Sequence, residues 1–382
     1  MRRLDRVGLL VTTIGAAGLA LPFVAFRENR IVPGVPIPLP AALPAWEAAL
    51  LGGLLCAAAC IALASVSPGK RLAGSLAAVA MLALAIGDAA RLLTPPGDTI
   101  VRVAPGAGFW LLALALLLMA SDAVARWKLA PWPRLGALAV ATGALGALLW
   151  SGLWDDLSVM REYANRADTF WREAGTHLAV ALGSLAAAVL LAVPIGILCS
   201  RLNATRDVVL NTLTAVQTIP SIALFGLLIA PMAWLAATVP GAAAIGIAGI
   251  GAAPGIVALV LYGLLPLVAN TMAGLDAVPP AANDAARGMG MSDVQRLVQV
   301  ELPLAFPAIL AATRIVLVQN IGLATVVALI GGGGLGTFVF QGAGQTAMDL
   351  VLLGAAPTVV LAAISAIALD AAVDMASGKG RR

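Results

Sequence analysis

Between positions 283 and 301 the chain crowds Asn283, Asp284, Arg287, Ser292, Asp293, Gln295, Arg296, Gln299 and Glu301. Long apolar stretches, 255–275 and 304–330, lie on either side. Hydrocarbon cannot satisfy so many polar groups, so the island reads as an aqueous loop between two membrane helices. No nucleophile stands beside a base here. The chemistry on offer is recognition by a preformed shape. Pro279-Pro280 stops the preceding helix, and 281–287 is a good helix former beyond the prolines. Gly288 and Gly290 permit a sharp change of direction. Ser292 and Gln295 have the spacing of a capping box that starts a second short helix. That helix presents Val294, Leu297 and Val298 on one face and Gln295, Arg296 and Gln299 on the other, and Pro303 is expected to end it. Two short helices with a glycine elbow form a rigid knob.

A second set of residues bears on passage across a membrane. Pro220 lies inside an apolar run, removes a backbone hydrogen bond and bends the helix. Gln217 and Ser221, four apart, share a face that can border a path; a simple packing kink is the alternative. Arg314 is a cation deep in a span, about 16 Å along a helix from Pro303. A charge there costs about 2.5–3.5 kcal/mol on insertion scales, so it must face water, protein or a partner. It is read either as a pathway or gate residue or as the structural partner of Asp370 or of helix-end carbonyls. Asn270 suits a hydrogen bond between spans. Asp88, Asp122 and Asp370 lie near span ends and are expected to reach the interface.

Several chemistries find no support. The run Gly331–Gly334 looks like a phosphate loop, but a Walker A loop needs a lysine after its glycines. Lys70, Lys128 and Lys379 all lie elsewhere. This polypeptide therefore does not hydrolyse ATP by that route. His177 is the single histidine and has no ligand cluster around it, so no metal site is expected. Cys56, Cys60 and Cys199 sit in or at the end of apolar runs and read as small packing residues. No catalytic residue and no bound cofactor is expected. No basic stripe with interleaved aromatics marks a nucleic-acid partner.

The elements that must hold these residues are membrane spans. Hydrophobic residues make up 61% of 382 and charged residues 11%, where a soluble domain carries about a quarter charged. Ten apolar segments can be drawn: 7–26, 46–66, 72–90, 108–125, 135–154, 176–199, 208–230, 255–275, 304–330 and 350–373. The first is too long for a signal peptide core and reads as a retained span. The Gly-rich run 242–253 is read as an outer loop or a re-entrant piece. With the N-terminus inside, most of the 23 Lys and Arg residues fall on the cytoplasmic side, and so does the knob.

The fold class is thus an all-α polytopic membrane protein of about ten transmembrane helices. Its parts are an accessory five-span region at 1–150, an outer amphipathic linker at 151–175, a core at 176–374 and a basic tail at 375–382.

The knob resembles the cytoplasmic "EAA" loop of permease subunits of ATP-binding-cassette (ABC) importers. Asp284, Ala285 and Ala286 stand for E-A-A, Gly290 for the family glycine, and Val300-Glu301-Leu302-Pro303 for I-x-L-P. Asp for Glu and Val for Ile are the departures. From 176 to about 374 the chain resembles the five-span core of type I importer permeases, covering a little over half of it. The strings Gln217-Thr218-Ile219-Pro220-Ser221 and Ile330-Gly331-Gly332-Gly333-Gly334-Leu335-Gly336 are closest to the glycine betaine, choline and carnitine branch. The five extra spans resemble a longer subgroup of betaine-type permeases.

The resemblance implies a transport subunit, not an enzyme, in a bacterial inner membrane with both termini cytoplasmic. Its implied partners are two ABC ATPase subunits that use ATP, a second permease chain, an external substrate-binding protein and membrane lipid. Asp284, Ala285, Ala286, Gly290, Val300, Leu302 and Pro303 would meet the ATPase. Gln217, Pro220, Ser221, Asn270 and Arg314 would border the path. An ABC permease for amino acids or another small solute, and an ion-coupled secondary transporter, are the competing readings.

Overall fold

The computed structural model describes residues 5–30, 32–64 and 67–378. Arg2 and Arg3 at the start, and Lys379, Arg381 and Arg382 of the basic tail, lie outside the described residues. The chain forms two compact units, one of residues 1–129 and 139–165, the other of 130–138 and 166–382.

The first unit opens with α1 (Arg6–Ala20), which Asp5 caps by accepting from the Gly8 N–H. This helix has fifteen residues, shorter than the 7–26 segment, because Pro22 stops it and the chain turns into a strand. β1 (Val24–Arg27), β2 (Val35–Ile37) and β3 (Arg102–Pro105) form a small antiparallel sheet in the order β2-β1-β3. The sequence reading did not anticipate it. A short α2 (Leu39–Ala42) leads to α3 (Ala45–Leu63) and α4 (Pro68–Leu93). After β3 come α5 (Ala107–Trp127), α6 (Pro131–Trp150), whose residues up to Leu138, Arg134 among them, belong to the second unit, and α7 (Ser158–Asn165). Leu51, Ala78, Leu82, Leu112 and Met119 are among the residues that fill its core.

At one end of this unit Arg71 is buried between Asp5 (2.9 Å) and Asp122 (3.1 Å), and Arg126 reaches the same two carboxylates. Asp122, half-buried near the end of α5, supplies one of the two carboxylates that the buried guanidinium needs.

The second unit is built on α8 (Ala167–Arg201), α9 (Asn203–Thr218), α10 (Ser221–Thr238), α11 (Ala252–Asp276), α12 (Pro280–Gly288), α13 (Asp293–Arg296), α14 (Leu302–Val327), α15 (Gly336–Gly344) and α16 (Met348–Ala376). α11 lies at its centre and packs on α8 and α14. Close approach is what small residues allow between membrane helices. A Cβ added at Gly263 would stand 2.8 Å from Val316, and one at Gly255 2.4 Å from Val327. Buried polar links join the same helices: Asn320 donates to the Ser184 hydroxyl at 2.9 Å, and His177 Nε2 donates to the Ile321 carbonyl at 3.0 Å.

Among the described residues nine helices are long and apolar enough to cross a membrane, with α1 a shorter tenth apolar helix. The 208–230 segment is not one span. It is split at Ile219-Pro220 into α9 and α10. The 242–253 run holds a single 3-10 turn, Ala243–Ile245, before α11 begins.

Candidate functional site

Two features of the second unit carry the sequence-derived site residues, and the first is the break between α9 and α10. Ile219, just past the end of α9, is extended (φ −71°, ψ 126°), and so is Pro220, just before α10 (φ −56°, ψ 139°). The break leaves the Ile219 carbonyl without a helical donor. The Tyr262 hydroxyl, from α11, supplies one at 2.5 Å. α11 has its own gap: Pro266 has no N–H, so the Tyr262 carbonyl four residues earlier loses its partner. Gln217 Nε2 fills that gap at 2.8 Å.

An open groove of about 390 Å³ surrounds this exchange, walled by Gln217, Ile219, Pro220, Ser221, Tyr262 and Gln319 among others. The structure therefore brings Gln217, Pro220 and Ser221 together on one cavity and adds Tyr262 and Gln319. Tyr262 was missed, although it is one of two tyrosines and stands four residues before a proline.

Asn270 and Arg314 are not on the groove wall. Asn270 donates to the Pro266 carbonyl of its own helix at 2.8 Å, and among the described residues it makes no bond to another span. A carbonyl one turn back in the same helix is the nearer acceptor. Arg314 is ion-paired with Asp370 of α16. Asp370 also accepts from Arg134 of α6, which reaches Asp374 at 3.0 Å. The geometry thus matches the structural-pair reading of Arg314.

The second feature is the knob. α12 and α13 are joined by a turn in which Gly290 has φ +80°. Gly288, expected to share the elbow, is instead the last residue of α12, so one left-handed residue makes the turn. The capping box is complete: Ser292 accepts from the Gln295 N–H, and the Gln295 side chain accepts from the Ser292 N–H.

Pro303 does not end the second helix. Leu297–Glu301 forms one π-helical turn, and the chain runs on into α14 with Pro303 in its first turn. A proline inside a regular helix clashes with the carbonyl four residues back. The wider π turn gives that carbonyl room. Asp293–Ile330 is therefore one continuous helical rod of 38 residues.

The rod is anchored at the knob by charge. Glu301 is buried and pairs with Arg296 at 3.0 Å and with Arg201 at the end of α8. Arg296 in turn reaches Asp293 at 2.9 Å. The Glu301 carboxylate beside it raises the Arg296 pKa above the ordinary arginine value. Meanwhile Met289, Val294 and Val298 are exposed, as are Asp284 and Ala285, while Ala286 is buried. The knob offers an apolar, uncovered face on a stiff base.

Comparison with known proteins agrees with this architecture. Residues 192–378 match the family described as binding-protein-dependent transport system inner membrane component. The osmoprotectant import permease protein OsmW of Salmonella typhimurium is 39% identical over 188 residues, 49% of this chain and 82% of that protein. This chain belongs to that permease family.

The permease is also 34% identical to the carnitine transport permease protein OpuCB of Listeria monocytogenes, over 53% of this chain and 88% of that one. Residues 5–160 match a second family model, the N-terminal domain of ABC transporter permease YehY. A solved methionine ABC transporter in inward-facing conformations overlaps 56% of the permease and 98% of its own chain, at 22% identity and a TM-score of 0.46. The permease is a multi-pass membrane component of a bacterial ABC importer.

Proposed function

We propose that the permease forms half of a path that imports a quaternary ammonium osmolyte of the glycine betaine, choline or carnitine type. The names of its relatives support this substrate class. Two such chains, identical or related, enclose the path, and an external binding protein delivers the osmolyte. Two separate ATPase subunits supply the energy. The permease itself binds no cofactor and does not hydrolyse ATP, in keeping with the missing Walker A lysine. The termini and the knob face the cytoplasm of the bacterial inner membrane, as the Lys and Arg distribution favours.

The observation that carries this reading is the continuity of the knob with α14. Asp284, Ala285 and Gly290 are exposed and available for docking, Ala286 packs beneath them, and Val300, Leu302 and Pro303 lie at the join of the π turn with α14. A displacement of the knob reaches α13, and from there it is transmitted along a continuous helical rod that packs on α11. Closure of the ATPases would move the rod and switch which side of the path is open.

The test is purification of the tagged permease from its native membrane. An ATPase subunit is expected to co-purify and to be lost when Asp284 or Gly290 is changed. A permease that comes out alone, and moves solute in ATP-free liposomes under an ion gradient, would sink the proposal.

A further inference from the structure

The groove at the α9–α10 break has a composition that narrows what it can hold. Its volume of about 390 Å³ falls within the about 300–1,000 Å³ usual for small-molecule sites. No Asp, Glu, Lys or Arg lines it. The side chains that could bond a solute divide into two kinds. Gln217, Tyr262 and Thr218 are engaged: the first two donate to backbone carbonyls orphaned by a proline or a helix break, and the Thr218 hydroxyl donates to the Ala215 carbonyl of its own helix. The Ser221 hydroxyl and the Gln319 amide make no hydrogen bond within the described residues, and both stand on the groove wall. One offers an O–H and the other two N–H donors. A quaternary ammonium group has no N–H to give and needs no acceptor. A carboxylate needs donors, and in a cavity with no fixed negative charge it meets no repulsion.

We infer that this groove is a solute-contact site on the permease itself, with Ser221 and Gln319 donating to the carboxylate of a zwitterionic betaine. It therefore discriminates against choline-like cations that carry no carboxylate. The inference rests on the osmolyte reading above and adds the site, the two donors and the direction of selectivity. Tyr262 and Gln217 are positioning residues. Tyr262 satisfies the Ile219 carbonyl at the break, and Gln217 ties α9 to α11 through the Tyr262 carbonyl, so that Ser221, the first residue of α10, stays on the wall.

The experiment is equilibrium dialysis of radiolabelled glycine betaine and radiolabelled choline, at millimolar concentrations, against the purified permease–ATPase complex without binding protein. Wild type should hold betaine at least about tenfold more tightly than choline, the difference expected from one or two charge-assisted hydrogen bonds. Ser221→Ala and Gln319→Leu should each weaken betaine by about tenfold and leave choline within about twofold. Gln319→Glu keeps the size of the side chain and places a carboxylate on the wall. It should reverse the preference, and it remains informative should Gln319→Leu disturb folding. Equal binding of the two compounds by wild type, or an unchanged ratio in Gln319→Glu, would overturn the site. Uptake by the complete transporter is scored separately. A complex that imports betaine but fails these binding tests refutes only this inference, whereas one that imports no quaternary ammonium compound refutes the osmolyte reading.

Discussion

Gln217 and Tyr262 repair each other's helices. Gln217, in α9, donates to the Tyr262 carbonyl that Pro266 leaves unpaired, and the Tyr262 hydroxyl donates to the Ile219 carbonyl at the end of α9. Each bond answers a backbone defect that would otherwise stand unsatisfied inside the membrane. Together they fix the geometry of a break that the sequence reading took for a bend.

That reciprocity is measurable. Tyr262→Phe leaves the Ile219 carbonyl without its donor, and Gln217→Leu does the same to the Tyr262 carbonyl. Each is expected to cost about 1–3 kcal/mol, the desolvation penalty of a buried group left unpaired. The two bonds close one loop of contacts, so the double variant should be less destabilised than the sum, with a coupling of about 0.5–3 kcal/mol. Thermal unfolding of the four proteins in detergent checks this, and strict additivity would mean that the bonds act independently.

At the elbow, Gly290 and Gly288 should respond differently. A Cβ at either position would meet nothing within 4 Å, so sterics do not separate them. Backbone conformation does. Gly290 has φ +80°, and a non-glycine residue there costs about 1–2 kcal/mol, whereas Gly288 is in ordinary helix. Gly290→Ala is expected to lower ATP-driven uptake severalfold, Gly290→Asn to lower it less because Asn tolerates the left-handed region, and Gly288→Ala to leave it near wild type. Uptake in reconstituted vesicles, normalised to permease content, ranks the three.

How much of this was legible in the sequence follows from how local each feature is. The capping box of Ser292 and Gln295 and the turn at Gly290 depend on a handful of adjacent residues, and their positions were readable. The π turn at Leu297–Glu301 was not. Pro303 carries a strong stop signal, and only the tertiary anchoring of Glu301 by Arg296 and Arg201 accompanies the helix through it. Tyr262 was invisible for the same reason, since its partner lies 43 residues away. The small sheet escaped because its strands have three or four residues, too few to show alternation, and two of them contain proline. Arg314 was recognised as a cation needing a partner. Sequence offered Asp370 as one candidate among several, and packing selected it.

The Glu301 clamp should separate ATP hydrolysis from transport. Arg201 closes α8 and Arg296 belongs to the knob, so Glu301 is the shared partner that ties the knob to a neighbouring membrane helix. Glu301→Gln keeps the shape, removes the charge and leaves two guanidinium groups facing a neutral amide. Without the tie, motion of the knob is expected to dissipate before it reaches α8. Uptake should fall by about tenfold or more while ATPase activity of the complex falls much less. Equal losses of both activities would show that Glu301 only stabilises the fold.

The first unit carries a pH dependence whose sign can be worked out from Asp5. Burial pushes the Asp5 carboxyl upward. The Arg126 hydrogen bond, the Gly8 N–H and the nearby Arg71 and Arg126 charges more than offset this and hold it at about 2. In the unfolded chain an aspartate titrates near about 3.9. The folded value is the lower one, so the stabilisation by ionised Asp5 is fully present above about 4 and is lost as pH falls toward 2. Asp5→Asn removes the charge at every pH. It should unfold at a lower temperature than wild type at neutral pH, and the gap between the two proteins should narrow steadily below about pH 4. Scanning both in detergent across that interval gives the answer. A gap that stays constant down to pH 2 would mean that the Asp5 charge contributes nothing and that only its cap on α1 matters.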